Sequence, residues 1–302
     1  MTDLKPVIDY LTYNALFFLV HEPMNRHTTF QIGGPADLVA YPTRRRELCD
    51  LMKICKEREI PLTVLGNGSN VLVGDAGIRG LTLMTDRLHR ITVGADSSIE
   101  AWAGASLSHL CSIAKNYSLS GLEFAFGIPG SVGGAVVMNA GAYGGEMKDV
   151  TVSTEYVSEQ GELCVARGEE QGFGYRTSAF QGNSRIVIRS TFSLTPADGD
   201  AVTAKMKEYA AARREKQPLE LPSAGSAFKR PENNFAGKLI EEAGLKGAHV
   251  GGAFVSEKHA GFIVNKGGAS AADVLKLMEL VRDTVYRRTG IALEAEIKKV
   301  GV

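Results

Sequence analysis

Two glycine-rich stretches are the first residues whose types and spacing suit chemistry. Gly66-Asn67-Gly68-Ser69-Asn70 follows an apolar run that ends at Leu65. Its two glycines allow positive φ and a close approach of the backbone to a ligand. Successive N–H groups, helped by the Ser69 hydroxyl and the Asn67 and Asn70 carboxamides, can wrap a pyrophosphate. The stretch is not the dinucleotide fingerprint G-x-G-x-x-G, because Val71 stands at the third glycine and the chain continues as a strand through Leu72 and Val73. A plain hairpin turn is the competing reading. The second stretch runs Gly127-Ile128-Pro129-Gly130-Ser131-Val132-Gly133-Gly134-Ala135 and on through Asn139-Ala140-Gly141-Ala142-Tyr143-Gly144-Gly145. Each glycine costs about 0.5–1 kcal/mol relative to alanine inside regular structure, so this density needs a compensating use. Amides lining an anionic or planar ligand supply one; tight packing of small residues is the alternative. Two amide-rich loops in one region favour a nucleotide cofactor.

The composition narrows the class. Lys and Arg number 34 and so do Asp and Glu, for a formal net charge of zero, which argues against a basic nucleic-acid binder or a polybasic membrane-surface protein. With 44% hydrophobic and 23% charged residues the chain reads as an ordinary soluble globular protein. Six scattered histidines without H-E-x-x-H give no metal site. Cys49, Cys55, Cys111 and Cys164 form no C-x-x-C pair, so reduced core thiols in a cytoplasmic chain are expected. The N-terminus lacks the basic-then-apolar order of a secretory signal, and the apolar run 15–20 is too short to span a bilayer. The uncharged run 124–145 has a span's length, but its seven glycines mark it as a loop built from backbone.

The elements that must position these loops follow from periodicity. A chain of 302 residues suits two or three lobes. A helix is expected over 4–20. Leu48, Leu51, Met52 and Cys55 recur at i, i+3, i+4 and i+7 after a Thr43 cap and predict a second, closed by Pro61. Strands are expected at 62–65, 80–84, 89–94, 98–103, 152–158 and 185–194, and Leu107, Leu110, Cys111 and Ala114 mark another helix. This mixture predicts an α+β fold rather than regular β-α-β winding. A composition shift near 200 introduces a charged helix over 200–216 and a connector broken by Pro218 and Pro222. Ser270 and Asp273 form a capping box for a helix striped with Val274, Leu277, Met278, Val281 and Val285, closed by Gly290. The run 291–300 alternates as a last strand, with Glu294, Glu296 and Lys298 on its polar face. The domains expected are a helical segment 1–25, a two-lobed body 26–200 and a C-terminal domain 201–302.

Several stretches together carry a resemblance. Thr28-Thr29-Phe30-Gln31-Ile32-Gly33-Gly34-Pro35-Ala36, the two glycine loops, Gly174-Tyr175-Arg176-Thr177-Ser178, Ala224-Gly225-Ser226-Ala227-Phe228-Lys229 and Leu293-Glu294-Ala295-Glu296-Ile297 stand in the order found in the UDP-N-acetylenolpyruvoylglucosamine reductase family. The resemblance implies a bilobed PCMH/vanillyl-alcohol-oxidase-type FAD-binding domain plus a C-terminal α+β substrate-binding domain. It also implies non-covalent FAD, NADPH as reductant, and UDP-N-acetylglucosamine enolpyruvate as the small-molecule substrate. The step implied is a cytoplasmic one in peptidoglycan precursor synthesis, carried out by a monomer without nucleic-acid or membrane partners. The 50 residues from Arg176 to Ser226 resemble the shorter subclass, which lacks an inserted tyrosine loop.

By the same resemblance, Gly66, Asn67, Gly68, Ser69, Asn70, Gly127, Pro129, Gly130, Ser131, Gly133, Gly134, Asn139 and Gly141 hold FAD. Arg176 matches the family's enolate-stabilising cation, Ser226 its proton donor and Glu296 its acidic partner. Glu294 shares the strand face with Glu296; the resemblance selects Glu296 because it directly precedes Ile297-Lys298. Tyr143, Arg213, Lys216, Lys229 and His259 are candidate substrate contacts, with a structural tyrosine and a solvated helix face as alternatives for Tyr143 and for Arg213 with Lys216. The same scaffold also carries FAD oxidases, and the glycine loops hold no histidine to tether a flavin covalently.

Overall fold

The protein is described by a computed structural model over residues 2–302. It forms two compact units, each assembled from separate stretches. The first comprises Met1–Val20, Leu38–Asn67 and Gly80–Ala212; the second comprises His21–Asp37, Gly68–Arg79 and Arg213–Val302. This differs from the expected cuts at 25 and 200. Phe30, Ile32 and Leu72 share a hydrophobic core with Val274, Leu277 and Val281, which draws the early segments to the C-terminal stretch. The expected cut at 200 falls within the helix Gly199–Lys216.

The first unit has two hydrophobic cores. One gathers Val7, Leu11, Leu38, Leu48, Leu51, Leu81 and Leu83. Around it lies a four-stranded sheet in the order Phe18–Pro23, Pro35–Ala40, Ile78–Met84, Leu62–Leu65. The helix Arg45–Glu57 buries Leu48, Leu51, Met52 and Cys55, the face its period predicts. Its cap is Arg44 rather than Thr43, with the Glu47 carboxylate accepting from the Arg44 N–H at 3.0 Å. Burial pushes the Cys55 thiol up to about 12, so it is a core side chain and an inert one. The N-terminal helix is Lys5–Tyr13, shorter than expected. Ala15 turns the chain with φ +52°, and the aromatic and β-branched residues beyond it form the strand Phe18–Pro23.

The second core packs Ile99, Leu107, Leu110, Val132, Val136 and Phe192. Its sheet is antiparallel throughout, in the order Leu163–Arg167, Thr151–Val157, Ile186–Ser193, Ser98–Trp102, Ile91–Val93. The helices Leu107–Asn116 and Val132–Val137 cover it.

The second unit carries an antiparallel sheet in the order Ser223–Ser226, Phe262–Asn265, Ala253–Val255, His249–Val250. The helix Ala271–Thr289 packs its Val274, Leu277, Val281 and Val285 stripe into the core. The capping box is present: Ser270 Oγ accepts from the Asp273 N–H at 3.0 Å, and Asp273 Oδ2 from the Ser270 N–H at 3.0 Å. Asp75 adds a second cap, its carboxylate accepting from the Ala271 and Ala272 N–H groups at 2.7 and 2.9 Å. Gly290 ends the helix at φ +72°. Of the expected strand 291–300 only Lys298–Val300 is regular, pairing in parallel with Val71–Val73. The residues before it are irregular because Ala295 bridges to Phe228 while Leu293 and Ile297 turn into the core. Among the described residues no helix is long and apolar enough to cross a membrane.

Asp75 and Ser270 cap the same helix end, so Asp75→Ala is expected to lower stability by about 1–2 kcal/mol. The urea midpoint of the purified protein reads this directly.

Candidate functional site

The strand Leu62–Leu65 delivers the chain to Gly66, and the strand Val71–Val73 takes it away after Asn70. Between them the fold's backbone hydrogen bonds use none of the N–H groups of Gly66, Asn67, Gly68, Ser69 or Asn70 among the described residues. Glycine is required at both 66 and 68. A Cβ on Gly66 would stand 2.1 Å from Ser131 Oγ, which brings the two glycine loops into contact within the first unit. A Cβ on Gly68, at φ +60°, would stand 2.1 Å from the His27 carbonyl oxygen. Thr29 braces the Gly68 end of this loop, its N–H donating to Gly68 O at 3.2 Å and its hydroxyl to Ser223 O at 2.7 Å.

The second glycine loop divides its labour. The N–H groups of Gly130, Val132 and Gly133 donate to Ile128, Ala105 and Ala103 carbonyls, each at 2.8 Å. Gly133 also lies so near Ala103 that a Cβ would come within 2.7 Å of the Ala103 Cβ. Close packing, the alternative use of small residues, therefore accounts for Gly133. Ser131 caps the short helix Val132–Val137, accepting from Gly134 N–H at 3.4 Å. Asn139 is fully buried and its carboxamide is committed to the fold. It donates to Glu146 Oε2 at 3.0 Å and Gly174 O at 2.9 Å, and accepts from the Lys148 N–H at 2.9 Å.

Arg176 occupies the tip of a two-residue turn closed by Gly174 and Thr177, which exchange hydrogen bonds at 3.0 and 3.3 Å. Its φ is +56°, a conformation glycine favours, and holding it costs on the order of 1–3 kcal/mol. Arg176 Nη2 donates to Gly141 O at 3.1 Å, and Gln181 Nε2 donates to Arg176 O at 3.2 Å. Asn139 and Gly141, from the second glycine stretch, thus meet the turn that carries Arg176 within the first unit. Tyr143, at φ +53°, stacks on Tyr209 at 4.3 Å and 3°, and its hydroxyl donates to Tyr209 O at 3.2 Å. Tyr209 lies in a charged helix and gave no local signal in the sequence.

In the second unit, Ser226 ends the strand Ser223–Ser226, whose pairing with Phe262–Asn265 shifts register between Ser223 and Ser226. Gly225, at φ +73°, makes this irregularity and re-aims the serine. Ala224 and Ala227 on either side are buried, while Ser226 is half-buried and its hydroxyl makes no hydrogen bond among the described residues. Glu296 donates its N–H to Ala227 O at 2.9 Å, which sets it beside Ser226 along the chain pairing. Glu294 takes a different role: its carboxylate is largely exposed and pairs with Lys229 Nζ. Arg213 is buried rather than on a solvated helix face, whereas Lys216 is exposed. His259 packs edge-on to Phe262 at 5.0 Å, and its Nδ1 accepts from the Gly261 N–H at 3.1 Å, leaving the proton on Nε2. Burial holds its pKa below the ordinary 6.5, so it is neutral and lacks the cationic charge a phosphate contact would use.

Loop amides that an α+β body leaves without backbone partners are the donors of a protein that binds a phosphate-bearing ligand. The FAD binding domain family matches residues 36–167, and the C-terminal domain of UDP-N-acetylenolpyruvoylglucosamine reductase matches residues 217–300. The chain belongs to the UDP-N-acetylenolpyruvoylglucosamine reductase family. It is 50% identical over 312 aligned residues to the reductase of that name from Agathobacter rectalis, covering 99% of this chain and 98% of the relative. The crystal structure of the Thermus caldophilus enzyme superposes with a TM-score of 0.80 at 36% identity, over 94% of this chain and 98% of that one. A berberine bridge enzyme variant, at 14% identity and TM-score 0.51 over 64% of this chain and 44% of its own, shares the fold alone. FAD fits the residues present, since the Gly68, Ser69 and Asn70 amides of the second unit, left over by the fold, are donors of the kind a pyrophosphate needs.

Gly66→Ala is expected to displace the Ser131 hydroxyl and weaken FAD binding by about tenfold, read by titrating flavin fluorescence. His259 gives a pH effect of definite sign. Its native pKa lies below 6.5, so the unfolded chain takes up the proton first as pH falls. Stability should drop as pH falls below 6.5 and level off once the native group also protonates, and a His259→Gln variant should lack that component in urea midpoints measured against pH.

Proposed function

We propose that the chain reduces UDP-N-acetylglucosamine enolpyruvate to UDP-N-acetylmuramate with NADPH, as an FAD-dependent UDP-N-acetylmuramate dehydrogenase supplying peptidoglycan precursors. The observation that supports it best is Arg176, an always-charged side chain kept at the tip of a turn in a backbone conformation that disfavours it. Bound FAD supplies two-electron transfer from NADPH to the methylene carbon of the enolpyruvyl ether. The Gly66–Asn70 amides and the Gly127, Pro129, Gly130, Ser131, Gly134 and Gly141 region are the residues that would hold it.

Hydride gain at the methylene carbon builds an enolate at the neighbouring α carbon, next to a carboxylate. Arg176 supplies the fixed positive charge that stabilises this developing dianion. Ser226 donates its hydroxyl proton to the α carbon, a step open to a weak acid only where the carbanion is more basic and water is excluded. Glu296 polarises the carboxylate or orients the proton source. Arg213, Lys216 and Lys229 are assigned to the diphosphate and Tyr143 to the nucleotide sugar. The neutral His259 is assigned at most one hydrogen bond from Nε2. The enzyme acts as a cytoplasmic monomer whose partners are small molecules.

Purified protein is expected to be yellow, to bleach with NADPH under anaerobic conditions and to recover colour when the enolpyruvyl sugar nucleotide is added. In Ser226→Ala the bleaching should persist while recovery slows by about 10²–10⁴-fold, the usual worth of a positioned general acid. Equal slowing of both phases would assign Ser226 a structural role, and colour recovery with oxygen but never with the sugar nucleotide would indicate an oxidase.

A further inference from the structure

Asn70 sits where the glycine loop becomes a strand. In a parallel ladder one residue bonds to both neighbours of the residue opposite, its N–H to one carbonyl and its carbonyl to the next N–H. Asn70 keeps half of that pattern: its carbonyl accepts from the Lys298 N–H at 3.0 Å, one step ahead of the Lys298↔Val71 pairing. The other half is replaced. The Glu296 carbonyl accepts from the Asn70 side chain, Nδ2, at 3.3 Å, and the Asn70 main-chain N–H has no bond in the fold among the described residues. The Glu296 peptide is therefore held from two sides, by the Asn70 carboxamide and by the carbonyl of Ala227, the residue after Ser226. Leu293 and Ile297, both buried, anchor the segment on either side of it.

We propose that Asn70 is a positioning residue whose carboxamide stands in for its own peptide N–H in the ladder. The substitution leaves that N–H available to the pyrophosphate of the cofactor and fixes the Glu296 peptide next to Ser226. A single side chain thereby links the cofactor loop to proton delivery. The second part rests on the assignment of Glu296 to the proposed reaction. An alanine at 70 lets the main-chain N–H fall back onto the Glu296 carbonyl, removing one donor from the loop and shifting the acid. An aspartate keeps the size but cannot donate, and its charge repels the same carbonyl.

The test uses Asn70→Ala and Asn70→Asp in the full chain. In FAD-free Asn70→Asp protein, hydrogen exchange in the peptide 294–300 should quicken by about tenfold, the worth of one hydrogen bond, whereas in Asn70→Ala, where the main-chain N–H takes over the bond to the Glu296 carbonyl, it should quicken by less. FAD titration should show weaker binding in both variants. At saturating FAD, the second half-reaction should lose about tenfold more than the first, and that excess should vanish when Asn70→Ala is placed in a Glu296→Gln background, as coupling requires. Unchanged exchange in Asn70→Asp, unchanged FAD affinity or the same excess loss in both backgrounds overturns the proposal. If wild-type reduced enzyme is not reoxidised by the sugar nucleotide, the proposed reaction fails, while exchange and FAD titration still decide whether Asn70 holds the Glu296 segment and frees its own N–H.

Discussion

Peptide N–H groups that a fold leaves unpaired set the terms for everything around them. An unpaired donor shut away from water costs about 1–3 kcal/mol, so a run of them survives only where a ligand or solvent can reach it. The loop Gly66–Asn70 meets that condition through its neighbours. Gly66 and Gly68 have no Cβ because Ser131 and the His27 carbonyl occupy that space, and short strands clamp the loop at each end. A hairpin turn, the plain reading of the pentapeptide, would have spent its amides on its own carbonyls. This loop does not.

The side chains assigned to the proposed reaction share a related constraint: each projects from a break in regular structure. Arg176 stands at a left-handed turn tip, Ser226 beside a bulge at Gly225, and Glu296 in the irregular run between the long helix and the last strand. Of the three, the left-handed Arg176 costs on the order of 1–3 kcal/mol, whereas Gly225 takes its positive φ without that cost. Burying one large aliphatic side chain contributes about 1.5–3 kcal/mol, and the second unit buries Val274, Leu277, Val281 and Val285 completely on one helix.

The elements readable from sequence were those whose own residues determine them. The helix Arg45–Glu57 carries its period locally and the helix Ala271–Thr289 both its period and its cap, and the α+β class follows from the same counting. The helix expected over 4–20 stopped at Tyr13 because one left-handed residue, Ala15, reversed the chain, and no residue type announces that at an alanine. The discontinuous units were illegible for a different reason. Phe30, Ile32 and Leu72 are apolar in any fold, and only packing reveals which core takes them. Tyr209, the stacking partner of Tyr143, and Glu146, the partner of Asn139, likewise depend on contacts that no spacing encodes.

Charge state separates the candidate contacts to a diphosphate more sharply than residue type does. Lys229 is paired with Glu294, whose carboxylate is mostly in water. Such a pair is worth only about 0–1 kcal/mol, so an incoming phosphate can take the ammonium over at little cost. His259 stands at the opposite limit. Its ring is held neutral by burial, with one nitrogen already accepting from Gly261, and charging it would oppose the same burial that placed it there. Two residues that look equally basic in the sequence thus differ in kind: one carries a charge it can redirect, and the other offers only a neutral hydrogen-bond donor.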